Sequence, residues 1–145
     1  MKAVLQRVKS AQVRIEERVV SDIGKGLLIL LGVKKGDDEN KVKDLAETCI
    51  NLRIFEDTSG KFNLSLKDIN GEALVVSQFT LLADTSRGRR PSFANAEEPE
   101  KARKLYEFFV ETLKVLGIST KSGIFGERML VSLENNGPVT IILEN

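Results

Sequence analysis

Histidine is absent from all 145 residues. That removes the Ser–His and Cys–His nucleophile pairs, imidazole-ligated zinc and the commonest general base near neutral pH. Cysteine is almost absent: Cys49 stands alone. No intramolecular disulfide can form, a Cys-rich zinc site is excluded, and a reducing, cytoplasmic compartment is expected. Neither charge is in surplus, with 22 Lys and Arg against 21 Asp and Glu, a net of +1. Such a surface does not advertise nucleic-acid binding as a whole, so any such site has to be local. No apolar run approaches the roughly 18 residues of a membrane span. The opening MKAVLQRV lacks the apolar stretch and small-residue cleavage site of a signal peptide. No membrane contact, metal or cofactor is expected.

What is present is a balanced chain, 41% hydrophobic and 30% charged, long enough to bury its own core as one domain over 1–145. Residues 3–8 and 11–20 alternate as strands, with Glu16, Glu17 and Arg18 as the exposed turn of a hairpin. IGKGLLILLGV, residues 23–33, reads as a buried central strand. GDDEN then precedes a helix whose face is Val42, Leu45, Ala46, Cys49 and Ile50, acids at its start suiting the dipole. On that face Cys49 is a packing residue. A short strand at 53–55 and a loop lead to a second apolar strand, EALVVSQFTLLAD, over 72–84. Pro99 starts a second helix with Ala102, Leu105, Tyr106, Phe109, Leu113 and Leu116 at helical spacing, capped by Gly117. Strands are expected near 119–124, 128–134 and 139–143. Two helices among seven or eight strands predict an α/β, layered β/β/α domain with mixed sheets. No G-x-G-x-x-G or P-loop follows a strand, so dinucleotide and NTP sites gain no support.

Three segments are candidates for chemistry. SQFTL, residues 77–81, continues from ALVV and delivers Ser77, Gln78 and Thr80 at or just past a strand end, where α/β proteins build sites. An ordinary strand end would use the same residues to bond loop backbone. A histidine-free protein acting on an activated ester needs few strong bases but does need N–H groups for an oxyanion, and a turn here can supply them. NNGPVT, residues 135–140, reads as a turn, yet proline gives up a donor where hairpins favour Asn-Gly or Gly-X. X–Pro is also where a cis peptide costs least. RGRRPSF, residues 87–93, places Arg87, Arg89 and Arg90 beside Phe93, which suits phosphate contacts and one stacked base as well as a plain solvated loop.

SQFTL followed some fifty residues later by NNGPVT resembles the paired signature of the D-aminoacyl-tRNA deacylases, which remove D-amino acids from tRNA. QRV, IGKGLLILLGV, RIF, LVVSQFTLLAD, RGRRPSF and FGERMLVSLENNGPVT match in the same order across the chain. Asn136 stands where the family often has Asp, and Ser21 where it often has Gly.

The resemblance implies a homodimer with each active site at the subunit boundary. It implies a cis Gly137–Pro138 bond whose two carbonyls enter the partner's pocket, with Val139 and Thr140 alongside, to reject L-amino acids. Ser77, Gln78, Phe79 and Thr80 would line the opposite wall near the scissile ester. Catalysis would rest on backbone groups and the 2′-hydroxyl of the terminal adenosine. Thr80 as a nucleophile ranks lower, because nothing in the sequence activates it. Arg7, Arg87, Arg89, Arg90 and Phe93 make up the expected tRNA contacts, Phe93 on the adenosine and Arg7 also bracing the Gly-Pro loop. Mischarged glycyl-tRNA is a second expected substrate. Two alternatives stay open: a tRNA- or RNA-binding module without chemistry, and an enzyme of the same fold tuned to another mischarged substrate.

Overall fold

In the computed structural model, which describes residues 1–145, one long strand organises the sheet. β1 (Lys2–Ile15) turns at Glu16 and Glu17, and the chain returns as β2 (Arg18–Ile23) and β3 (Gly26–Gly32). These two lie end to end along one edge of β1, β2 against residues 11–15 and β3 against residues 2–8. β8 (Leu130–Glu144) runs antiparallel along the other edge. β3 pairs in parallel with β6 (Glu72–Ser77), and β6 in parallel with β7 (Ser119–Ser122). The mixed sheet curls until β2 nears β7, where Lys121 Nζ is 3.5 Å from Asp22. β4 (Phe55–Glu56) and β5 (Phe62–Leu64) form a separate small hairpin.

Both faces of this sheet are covered, which is why LLILL in β3 reads as an unbroken apolar run. Strand side chains alternate. Leu27, Ile29 and Leu31 therefore pack with Leu5, Ala73 and Val75 against the helices, while Leu28 packs with Val8, Val13, Leu74 and Val76 on the other face. α1 (Glu39–Asn51) presents the predicted face of Val42, Leu45, Ala46, Cys49 and Ile50, and the carboxylate of its N-cap Asp38 accepts the Lys41 N–H. α2 (Pro99–Val115) buries Ala102, Leu105, Tyr106, Phe109, Val110 and Leu113. It ends at Gly117, whose φ of +88 suits glycine and whose N–H bonds the Lys114 carbonyl. Each buried Leu or Phe contributes roughly 1.5–3 kcal/mol. The result is the layered α/β domain expected.

Several strand readings change: residues 3–15 lie in one continuous strand, Arg18 opens β2, and the strand expected at 53–55 is Phe55–Glu56. The strand over 72–84 stops at Ser77, and Phe79–Leu82 form a 3-10 turn. Gln78 still donates to the Leu31 carbonyl at 2.8 Å. β3 ends at Gly32, so the chain beyond has no ladder to join and Leu82 drops back into the core. At the C-terminus, NNGP is not a turn between two strands. Asn135 pairs with Val8 and Thr140 with Gln6, so both arms lie on β1 and residues 136–139 stand as an excursion opposite Arg7 alone.

Candidate active site

Ser77 and Gln78, half-buried at the end of β6, and the exposed Phe79 line a cavity of about 430 Å3. Its remaining wall comes from Val33 after β3, from Ala96, Glu97, Pro99 and Ala102 at the start of α2, and from Phe125, Gly126, Glu127 and Met129 before β8. The 3-10 turn closes its first internal bond from Leu81 N–H to the Gln78 carbonyl. The N–H groups of Phe79 and Thr80 precede that bond, so they have no partner within the turn. Thr80 is exposed, and its hydroxyl accepts from the Gln78 side-chain amide. An amide does not take a proton, so this contact gives Thr80 no base.

Of the titratable groups on the cavity wall, Glu97 is fixed. The Lys101 ammonium, 2.7 Å away, and then the Glu98 N–H hold its carboxyl below the usual range. Behind the wall, Tyr106 donates to the Val75 carbonyl at 2.9 Å and packs on Phe125, ring centroids 5.7 Å apart. Arg103 lies 5.2 Å over the same Phe125 ring.

Phe79 and Phe93 come together edge to face, centroids 5.0 Å apart. Phe93 follows a loop whose ends are closed by paired backbone bonds between Asp84 and Ser92. Arg87, Arg89 and Arg90 sit exposed on that loop, and no carboxylate lies within 4 Å of any of them. The basic segment and the strand-end segment are thus neighbours, joined by two aromatic rings.

The excursion at 136–139 lies elsewhere. The Gly137–Pro138 peptide is cis, and both residues are exposed. Arg7 reaches it from β1, with Nε donating to the Asn136 carbonyl and Nη1 to the Ile54 carbonyl, both at 2.7 Å. Its Nη2 is 3.4 Å from Glu56, and Phe62 covers the guanidinium at 5.1 Å. Arg7, expected both to brace this loop and to contact tRNA, is 4% exposed and uses three of its five N–H donors on these contacts. Val139 is buried in the core, and Thr140 returns to the ladder opposite Gln6. Within one chain the two segments are separate, for no residue of 135–140 lines the cavity.

The family model described as D-Tyr-tRNA(Tyr) deacylase matches residues 4–144. The chain belongs to that deacylase family. A D-aminoacyl-tRNA deacylase of Pelobacter propionicus is 57% identical over 144 residues, 99% of each chain. One of Roseiflexus castenholzii is 59% identical over 145 residues, covering all of this chain and 92% of the relative. Among solved structures, "c-Myc DNA Unwinding Element Binding Protein" superposes with a TM-score of 0.95 at 40% identity, over 100% and 99% of the two chains. A structure described as "a probable eukaryotic D-amino acid tRNA deacylase" gives 0.83 at 17% identity over 98% and 97%, and shares the fold.

Sequence reasoning did not assign Phe125, Gly126, Glu127 or Met129 in this deacylase-family chain to the site. They sit in FGERM, one of the stretches that carried the resemblance, and that was their only signal. Their place on the cavity wall depends on how the approach to β8 packs against the start of α2.

Proposed function

We propose that this chain hydrolyses the ester of D-aminoacyl-tRNA, with the cavity at the end of β6 receiving the aminoacylated 3′ end. Water attacks the ester carbonyl, the C–O bond to the terminal ribose breaks, and the ribose hydroxyl leaves with a proton as the free D-amino acid is released. The observation that carries the reading is the conjunction of full-length family membership with a cavity built by Ser77, Gln78 and Phe79. The N–H groups of Phe79 and Thr80 receive the developing oxyanion, a role in which a single donor is worth roughly 10²–10³ in rate. Neither histidine nor an activated threonine is needed if the substrate's own 2′-hydroxyl assists.

Selection against L-amino acids is assigned to Gly137 and Pro138 of a second copy, entering the cavity so that an L side chain has no room. The separation of the two segments within one chain supports this arrangement. So does β8, which pairs only with β1 and leaves Leu130 at 55% and Ile142 at 64% exposure. A homodimer with sites at its interface follows. Glycine, with no side chain to exclude, is cleaved as well. Arg87, Arg89 and Arg90 contact phosphates, Phe93 stacks near the terminal adenosine, and the setting is the cytoplasm, where charged tRNA is found.

A second reading, a nucleic-acid-binding module without chemistry, is favoured by the name of the 40% identical relative. Deacylation of tRNA charged with D-tyrosine, L-tyrosine or glycine, beside binding of uncharged tRNA and duplex DNA, separates the two. The enzyme reading expects release of D-tyrosine and glycine with L-tyrosyl-tRNA spared. Binding with all three esters intact would establish the module instead.

A further inference from the structure

We infer that Asn135 is a positioning residue for the choice between D and L substrates, acting as a clamp that sets residues 136–138 as a three-residue tip. The inference rests on the reading that Gly137 and Pro138 face the aminoacyl group. It comes from the hydrogen bonds that close the excursion.

Where β8 leaves β1, the ladder skips from the Val8–Asn135 pair to the Gln6–Thr140 pair. Val139 therefore falls outside the paired register, although it is buried at 8% exposure. A buried N–H or C=O without a partner is costly. Arg7, the one β1 residue opposite, directs its guanidinium to Asn136, Ile54 and Glu56. The Asn135 side chain fills the gap. Its Oδ1 accepts the Val139 N–H at 2.7 Å, and its Nδ2 donates to the Val139 carbonyl at 3.3 Å and to Thr140 Oγ1 at 3.1 Å. One amide thus serves both backbone groups of Val139, as an adjacent strand would.

The consequence lies at the tip. Residues 136–138 are held from Asn136 by Arg7 and from Val139 by Asn135, with the Val139 side chain anchored in the core. Gly137 is packed between these anchors. A Cβ there would stand 2.7 Å from Val139 Cγ2 and 3.1 Å from Arg7 Nη2, at a φ of +145. Displacing Val139 therefore displaces the residues proposed to exclude an L side chain. Asparagine supplies an acceptor and a donor together. Aspartate keeps only the acceptor, and alanine keeps neither.

The test uses the purified full chain with Asn135→Ala, Asn135→Asp and Gly137→Ala, each assayed on D-tyrosyl- and L-tyrosyl-tRNA, with thermal unfolding run alongside. A merely structural role would lower both rates in parallel. The clamp instead predicts that Asn135→Ala lowers the D-to-L ratio of kcat/KM roughly tenfold, the worth of one or two lost bonds, and that Asn135→Asp recovers much of it through the retained bond to the Val139 N–H. Should the alanine variant not fold, Asn135→Ser, too short to span to Val139, carries the same expectation. A wild-type ratio in Asn135→Ala, or in Asn135→Ser where that variant stands in, overturns the inference. If Gly137→Ala shifts the ratio in that case, the placement of the tip in the site survives. If Gly137→Ala also leaves rates and ratio at wild-type values, that placement fails and the inference falls with it.

Discussion

Arg7 stands opposite the point where β8 leaves the ladder, and its Nε donates to the Asn136 carbonyl at 2.7 Å. The same guanidinium serves Ile54 at 2.7 Å and stacks on Phe62, so it ties the excursion to the approach to β4 and to β5. Removing it in Arg7→Ala leaves two carbonyls without donors, at about 1–3 kcal/mol each where they are buried. Arg7→Lys keeps the charge but loses the planar fork that reaches two acceptors at once. The alanine variant is expected to melt well below wild type and the lysine variant between them, at roughly 2–4 °C per kcal/mol for a chain of this size. Equal melting of Arg7→Lys and wild type would mean that the fork is not needed.

The arginines at 87, 89 and 90 lead to a different expectation, because they are exposed and unpaired. Each phosphate neutralised on a single strand releases counterions worth about 0.7 in the slope of log K against log salt. Replacing all three with serine should weaken tRNA binding and flatten that slope by about 2. An unchanged slope would leave the loop as solvated surface.

Much of the architecture was legible because it is local. The helical faces ending in Ile50 and Leu113 follow from spacing alone, and LLILL announces a strand buried on both sides. The end of β6 at Ser77 was legible as a candidate site because the polar residues begin there, and Ser77, Gln78 and Phe79 do line a cavity. What escaped was non-local. NNGP carries turn chemistry, and nothing nearby says that both arms will pair with β1, more than a hundred residues earlier. In the sequence, Arg7 is tied to the Gly-Pro loop only through the resemblance, since its acceptors come from positions 54 and 136. The Phe125–Met129 wall was hidden for the same reason.

Catalysis that relies on backbone N–H groups has a signature in pH. A bell-shaped profile needs an acid and a base titrating near neutrality. On the cavity wall Glu97 is held ionised by Lys101, and the chain has no histidine. Single-turnover deacylation of D-tyrosyl-tRNA should therefore show no inflection between roughly pH 6 and 8 beyond that of the substrate's own α-amino group. A second inflection in that window would assign the work to a side chain instead.

Alkaline pH probes the wall behind the site. Burial pushes the Tyr106 phenol up to about 12, with a hydrogen bond to Ser122 acting the other way. Burial likewise pushes the Cys49 thiol up to about 12. Both shifts disfavour the ionised form in the folded state. Their contribution to stability is therefore fully present below the unfolded values, 9.0 for Cys49 and 10.0 for Tyr106, and is lost as pH rises toward about 12. Tyr106 is the one tyrosine and there is no tryptophan, so tyrosinate absorbance near 295 nm reports this residue alone. The native protein should show little tyrosinate at pH 10 and a midpoint near 12, whereas the protein in denaturant should return to the ordinary value. Tyr106→Phe should lose only about 1 kcal/mol, the net worth of one hydrogen bond, because the Val75 carbonyl keeps the Gly123 N–H at 2.9 Å. A native midpoint near 10 would mean that the phenol reaches water, and the wall that carries Phe125 would then be open where the structure has it closed.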